Sequence, residues 1–179
     1  MRSIRNKRER YTTLRRFIFV GILVACSLLL ALAQDDISSL KWHEWEEGVR
    51  ETHDSGKFLL VDVYTTWCGW CKRMDRSVYI HPRVQELLAA QFVPVKLNAE
   101  SETVIANGAN HYTERECAKL LDVHSYPTIL VFDANFKLVA RLDGYQDSEK
   151  FIRFLQYIGD KQYERYSFSQ YLRQIPPEH

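Results

Sequence analysis

The chain has 179 residues, 46% of them apolar, 26% charged and 13% aromatic, the composition of a globular protein rather than a disordered or fibrous one. Seven Gly and five Pro exclude a collagen-like or linker-dominated chain, and four Cys are too few for a disulfide-built scaffold. The formal net charge of +1 hides a split at residue 33: residues 1–33 hold seven Lys/Arg and one acid, whereas residues 34–179 hold 17 basic and 22 acidic side chains, too acidic a body to neutralise nucleic-acid phosphates.

The basic start precedes seventeen uncharged residues, Phe17 to Ala33. A positive flank followed by an apolar run is a secretory pattern, and Ala31-Leu32-Ala33 offers the small-x-small cleavage site. The run also reaches the minimum length for a membrane-spanning helix, which makes an uncleaved anchor at residues 17–33 the main rival to cleavage. Leu23-Val24-Ala25-Cys26 gives a third option, lipidation at Cys26 after cleavage. A buried core helix fits poorly beside seven cations. All three export readings place residues 34–179 outside the cytoplasm, where disulfides persist.

Trp42 to Ser55 has the apolar spacing of a helix, with Ser38 or Ser39 as cap and Gly56 as its end. Phe58 to Tyr64 is a near-continuous apolar run, the pattern of a strand buried on both faces; Asp62 interrupts it. A helix is expected from Cys68 to Ser77, and another from Pro82 to Ala90, with Pro in the first turn. Phe92 to Leu97 predicts a strand whose Pro94 prevents a full ladder. Asn98 to Tyr112 is polar and reads as a loop. Thr113 caps a short helix to Leu121, with Glu116 three residues on. Thr128 to Phe132 and Lys137 to Leu142 predict a hairpin. Asp147 or Ser148 caps a helix to Ile158, and Asp160 to Leu172 predicts a final helix anchored by Tyr163, Tyr166 and Tyr171. The alternation implies an α/β domain with a central sheet.

The chemistry is expected at Cys68-Gly69-Trp70-Cys71, which follows a buried strand and opens a helix. Two intervening residues let both sulfurs meet across the first turn. The positive end of the helix favours a thiolate on Cys68. Cys68 would attack a disulfide and Cys71 would resolve the mixed disulfide. A structural zinc site needs four ligands, and no second CxxC or HxxxH is present. His81, His111 and His124 lack ligand spacing. Cys117, ahead of Leu120 and Leu121, reads as a small buried hydrophobe, with a regulatory thiol as the alternative.

LLVDVYTTWCGWCKRMD resembles the active-site segment of the thioredoxin superfamily. Asp62, Trp67 and Lys72 fill the positions of the family's buried Asp, the Trp before the first Cys and the Lys after the second. Lys96, in Val95-Lys96-Leu97-Asn98, matches the family's Lys near the buried Asp. Ser125-Tyr126-Pro127-Thr128 resembles the cis-proline loop, and Gly144 matches a family glycine. The match spans residues 58–157. The tail from Tyr157 to Leu172 is similar to those of exported thioredoxin-like proteins of sulfur-oxidation gene clusters.

The resemblance implies a thioredoxin fold: a central mixed β-sheet flanked by helices, after an N-terminal signal or anchor helix and before an extra helical tail at 158–179. It implies catalytic roles for Cys68, Cys71, Asp62 and Pro127, substrate contacts at Trp67, Gly69, Trp70 and Tyr126, and support from Lys96, Lys72 and Gly144. Asp62 in an apolar strand is costly when charged, so its pKa should rise and fit it to take the Cys71 proton. Trp70 cannot carry the charge with which a His would stabilise the Cys68 thiolate, which argues for a reducing pair. The expected function is reduction of exported protein disulfides in the bacterial periplasm by a monomer, with no cofactor and with a transmembrane thiol-electron donor. A thiol oxidase or isomerase of the same fold, or a non-enzymatic thiol or copper-binding module, is the alternative.

Overall fold

The computed structural model describes residues 40–108 and 110–174. The expectations for residues 1–33, Cys26 among them, and for Ser38 and Ser39 lie outside the described residues. In chain order the elements are α1 (Trp45–Ser55), β1 (Phe58–Tyr64), α2 (Gly69–Ser77), α3 (Pro82–Gln91), β2 (Phe92–Asn98), β3 (Val104–Asn107), β4 (Asn110–Thr113), α4 (Glu114–Leu120), β5 (Thr128–Phe132), β6 (Leu138–Asp143), α5 (Ser148–Gly159) and α6 (Phe168–Gln174), with a 3₁₀ turn at Gln162–Glu164.

The main sheet has the order β2-β1-β5-β6. β1 runs parallel to β2 and antiparallel to β5, which pairs antiparallel with β6. This is the mixed sheet that the resemblance implies. Leu59, Val61 and Val63 face a cluster containing Trp45, Ile105 and Cys117, so α1, β3 and α4 cover that side. Leu60 faces Met74, Leu88, Phe151 and Tyr171, so α2, α3, α5 and α6 cover the other. With both faces dry, β1 needs apolar residues at every position but one, which explains its near-continuous apolar run. Each fully buried Leu or Val contributes about 1.5–3 kcal/mol by leaving water.

Three expectations need correction. α1 begins at Trp45 rather than Trp42, with Glu44 in the cap position and no side-chain cap bond. His43 instead lies along β2: it bridges to Val95, and its N–H donates to the Pro94 carbonyl at 2.9 Å. Trp42 then packs edge-on against Tyr79, 4.9 Å between ring centres. The segment read as a loop from Asn98 to Tyr112 contains a hairpin, Val104 opposite Thr113 and Ile105 opposite Tyr112. Burial of Ile105 and docking on α1 order it. The Trp45 indole donates to the Ala106 carbonyl at 2.9 Å, and Glu46 accepts the Ala106 N–H at 2.8 Å. Gly108, directly after the paired Asn107 and at a φ of 61°, was the turn signal in the sequence.

The tail is two short pieces rather than one helix. Ser167 restarts the chain as a helix by accepting the Gln170 N–H at 3.3 Å, while the Gln170 side chain takes the Ser167 N–H at 2.8 Å. Tyr163 meets Phe58, Tyr171 meets Tyr157, and Tyr157 donates its hydroxyl to the Tyr166 carbonyl at 2.7 Å. The three predicted tyrosine anchors therefore tie the tail to α5 and β1. α4 opens with the capping box read from Thr113 and Glu116, and Asp147 caps α5.

Candidate active site

β1 ends at Tyr64, and after three intervening residues Cys68 caps α2, accepting the Cys71 N–H at 3.0 Å. Cys68 and Cys71 are joined as a disulfide with Cα atoms 5.3 Å apart. Both are buried, whereas the indoles of Trp67 and Trp70 are 68% and 55% exposed. Trp67 meets Tyr126 edge-on at 5.9 Å. The Tyr126–Pro127 bond is cis, as the resemblance implies. Trp67, directly before Cys68, thus brings the dithiol turn against the residue directly before Pro127.

Gly144 holds the Pro127 loop. Its N–H donates to the Pro127 carbonyl at 2.8 Å, and its φ of 78° is one that side-chain-bearing residues rarely adopt. Thr128 adds two bonds, to the Ser125 carbonyl and to Asp143. On the other flank Trp70 lies 5.1 Å from Tyr145, and the Arg73 guanidinium sits over both rings. Gly69 lies between the cysteines and is exposed. Sequence reasoning did not single out Arg73 or Tyr145. Arg73 stands three residues after Trp70, a helical neighbour position.

Beneath α2, Asp62 is fully buried in β1 and registers opposite Lys96 in β2. Lys96 Nζ donates to Asp62 Oδ2 at 2.7 Å and to Asp75 Oδ1 at 2.5 Å. Asp75 is one helical turn beyond Cys71, so Lys96 ties the sheet to the helix that carries the dithiol. The ammonium also lies 4.6 Å from the Trp42 ring, 5.0 Å from Tyr79 and 5.3 Å from Tyr64. Burial raises the Asp62 pKa, and the nearby Lys96 charge only partly offsets it. Burial alone would lower the Lys96 pKa, but Asp62 and Asp75 turn the net change upward. The Tyr79 hydroxyl is close enough to feel the Asp62 charge, although neither it nor Asp62 Oδ1 makes a hydrogen bond of normal geometry. A buried carboxyl with one unpaired oxygen beside a dithiol helix is suited to taking up a proton.

The sequence reading took Trp42 only as the start of a helix and gave Asp75 and Tyr79 no part in the site. Lys72, which that reading included, is exposed, and the Lys96 bonds go to Asp62 and Asp75 instead. Cys117 lies in the opposite core layer, its thiol pushed up to about 11, chiefly by burial. His81 caps α3 by accepting the Arg83 N–H, His124 contacts Asp122, and His111 is exposed on β4. Among the described residues, no group of three metal-ligating side chains occurs.

Residues 45–159 match the family described as "Thioredoxin-like domain". The chain belongs to this family. The thiol:disulfide interchange protein DsbD of Yersinia pestis is 35% identical over 103 residues. That match covers 56% of this chain but only 16% of the relative, so the chain spans a small part of the curated proteins it resembles. A candidate disulphide isomerase from Bacteroides thetaiotaomicron superposes with a TM-score of 0.54 at 27% identity, covering 72% of this chain and 96% of that one. A thioredoxin-fold protein from Helicobacter pylori gives 0.56 at 20% identity, over 67% and 84% of the two chains, and shows the fold alone. Within this family, the bonded CxxC pair at a strand-to-helix junction supports a thiol–disulfide oxidoreductase.

Proposed function

We propose that the chain is a periplasmic protein-disulfide reductase of the thioredoxin-like family. The observation that carries the reading is the Cys68–Cys71 disulfide at the positive end of α2, with a buried acid on the adjacent strand. In the reduced protein, the Cys68 thiolate attacks a substrate disulfide and releases one substrate thiolate, leaving a mixed disulfide. Cys71 gives its proton to Asp62, directly or through one water. The Cys71 thiolate then attacks the Cys68 sulfur and releases the second substrate sulfur as a thiolate, and Asp62 returns its proton to the water or the departing thiolate. Two electrons pass to the substrate, and the Cys68–Cys71 disulfide re-forms.

Trp67 and Tyr126 offer an exposed apolar wall beside the dithiol, suited to a polypeptide rather than a small thiol. Pro127 and Gly144 keep that wall in place, and Gly69 leaves the approach to Cys68 open. The uncharged Trp70 supports a reducing direction, because no imidazolium stabilises the Cys68 thiolate. Restoring the dithiol requires a thiol-electron donor, and the relationship to DsbD supports a membrane-embedded one. Residues 1–33 fit a leader or anchor that exports residues 34–179. Among the described residues, no helix is long and apolar enough to cross a membrane.

Replacing Cys71 with Ser blocks resolution. Expressed in cells as the full chain, Cys71→Ser is expected to accumulate mixed disulfides with exported proteins, released by dithiothreitol and identified by mass spectrometry. The Cys68→Ser/Cys71→Ser double variant should capture none. An empty Cys71→Ser lane would sink the reading.

A further inference from the structure

Only Thr65, Thr66 and Trp67 separate β1 from Cys68, so their conformation sets where the dithiol and the Trp67 ring stand. Thr66 is held from a distant part of the chain. Its N–H and its hydroxyl both donate to Oε2 of Glu100, at 2.8 and 2.9 Å. Bonds to an ionised acceptor are stronger than neutral ones. The Thr66 donors, assisted by the Trp67 indole, hold the Glu100 carboxyl below its ordinary range.

Glu100 is itself fixed. Its N–H donates to Asn98 Oδ1 at 3.0 Å, and its carbonyl accepts from Arg115 Nη2 at 2.9 Å. Arg115 also pairs with Glu102 and donates its N–H to the Ser101 carbonyl. The Asn98 N–H donates to Glu114. The segment leading from β2 into the hairpin, together with the start of α4, is therefore the base from which Glu100 reaches the dithiol turn. The Trp67 ring at the far end of this chain of contacts is exposed and meets Tyr126.

We propose that Glu100 is a positioning residue: its carboxylate fixes the Thr66–Trp67 turn so that Trp67 stands against Tyr126 and forms one wall for an incoming polypeptide disulfide. This rests on the reductase reading above. Glu100 touches no reacting atom, so its loss acts on substrate binding more than on the thiol exchange. Both bonds end on one oxygen, so a Gln at this position can still accept both, without the added strength of an ionised acceptor.

The test is insulin reduction by the full chain in detergent, with dithiothreitol as electron source. Glu100→Ala is expected to raise KM about tenfold while kcat changes less than about threefold, and Glu100→Gln to keep KM within about threefold of the native value. A second readout needs no turnover. With 5-fluorotryptophan incorporated, and the Trp67 resonance assigned through Trp67→Phe, Glu100→Ala should shift and narrow that ¹⁹F line while Glu100→Gln leaves it near its native place. An unchanged KM, or a fall in kcat alone, overturns the proposal. So does a Trp67 line that Glu100→Ala does not move. If the native chain fails to reduce insulin, the reductase reading falls, and the ¹⁹F line alone decides the clamp.

Discussion

Asp62 sits fully buried in an apolar strand, and its acid form is favoured by the fold. The folded chain therefore binds this proton more tightly than the unfolded chain. Its contribution to stability is fully present below about pH 4 and is lost as pH rises through the raised native value. Asp62→Asn should melt above the native chain at pH 8, by about 2–4 °C for each kcal/mol gained, with the gap closing toward pH 4 in thermal melts followed by circular dichroism. A gap that widens in acid contradicts this sign. In stopped-flow reduction the same variant should slow resolution of the mixed disulfide about a hundredfold at pH 7, the loss typical of a missing general base. Asp62 was legible in the sequence because it interrupts an apolar strand, and Lys96 because Val95-Lys96-Leu97-Asn98 resembles the family's next strand. Trp42, Asp75 and Tyr79 were not, because they reach Lys96 only when the segment before α1, the α2 region and the sheet pack together.

At the scale of elements, close approach decides the most. α1 lies so near β2 that a Cβ on Gly48 would overlap Val95 Cγ2. Gly48→Ala should cost about 1–3 kcal/mol in urea unfolding, and Val95→Ala in the same chain should recover part of it. The α4 cap is the opposite case, local and readable. Thr113→Ala removes one half of the capping box and should cost about 0.5–2 kcal/mol by the same measurement. Strands and caps were legible because their signals are short-range: an apolar run, a Thr three residues before a Glu. The start of α1 and the hairpin were misread because both depend on partners far along the chain, Pro94 for His43 and Trp45 for Ala106.

For the whole molecule, the reductase reading sets the reduction potential. The Cys68/Cys71 pair of the full chain, equilibrated with glutathione or dithiothreitol buffers, should lie near the thioredoxin value of about −270 mV. A value near about −120 mV would mark a disulfide donor instead. The sequence by itself determined the dithiol, the strand that delivers it, the buried Asp and the sheet elements. Each is written in a few adjacent residues, as a spacing, a run or a misfit charge. Only the tertiary structure decided which groups surround Lys96, that Glu100 reaches back to the dithiol turn, and that the polar stretch after β2 folds as a docked hairpin. Those features join residues tens of positions apart, through contacts that no local pattern encodes.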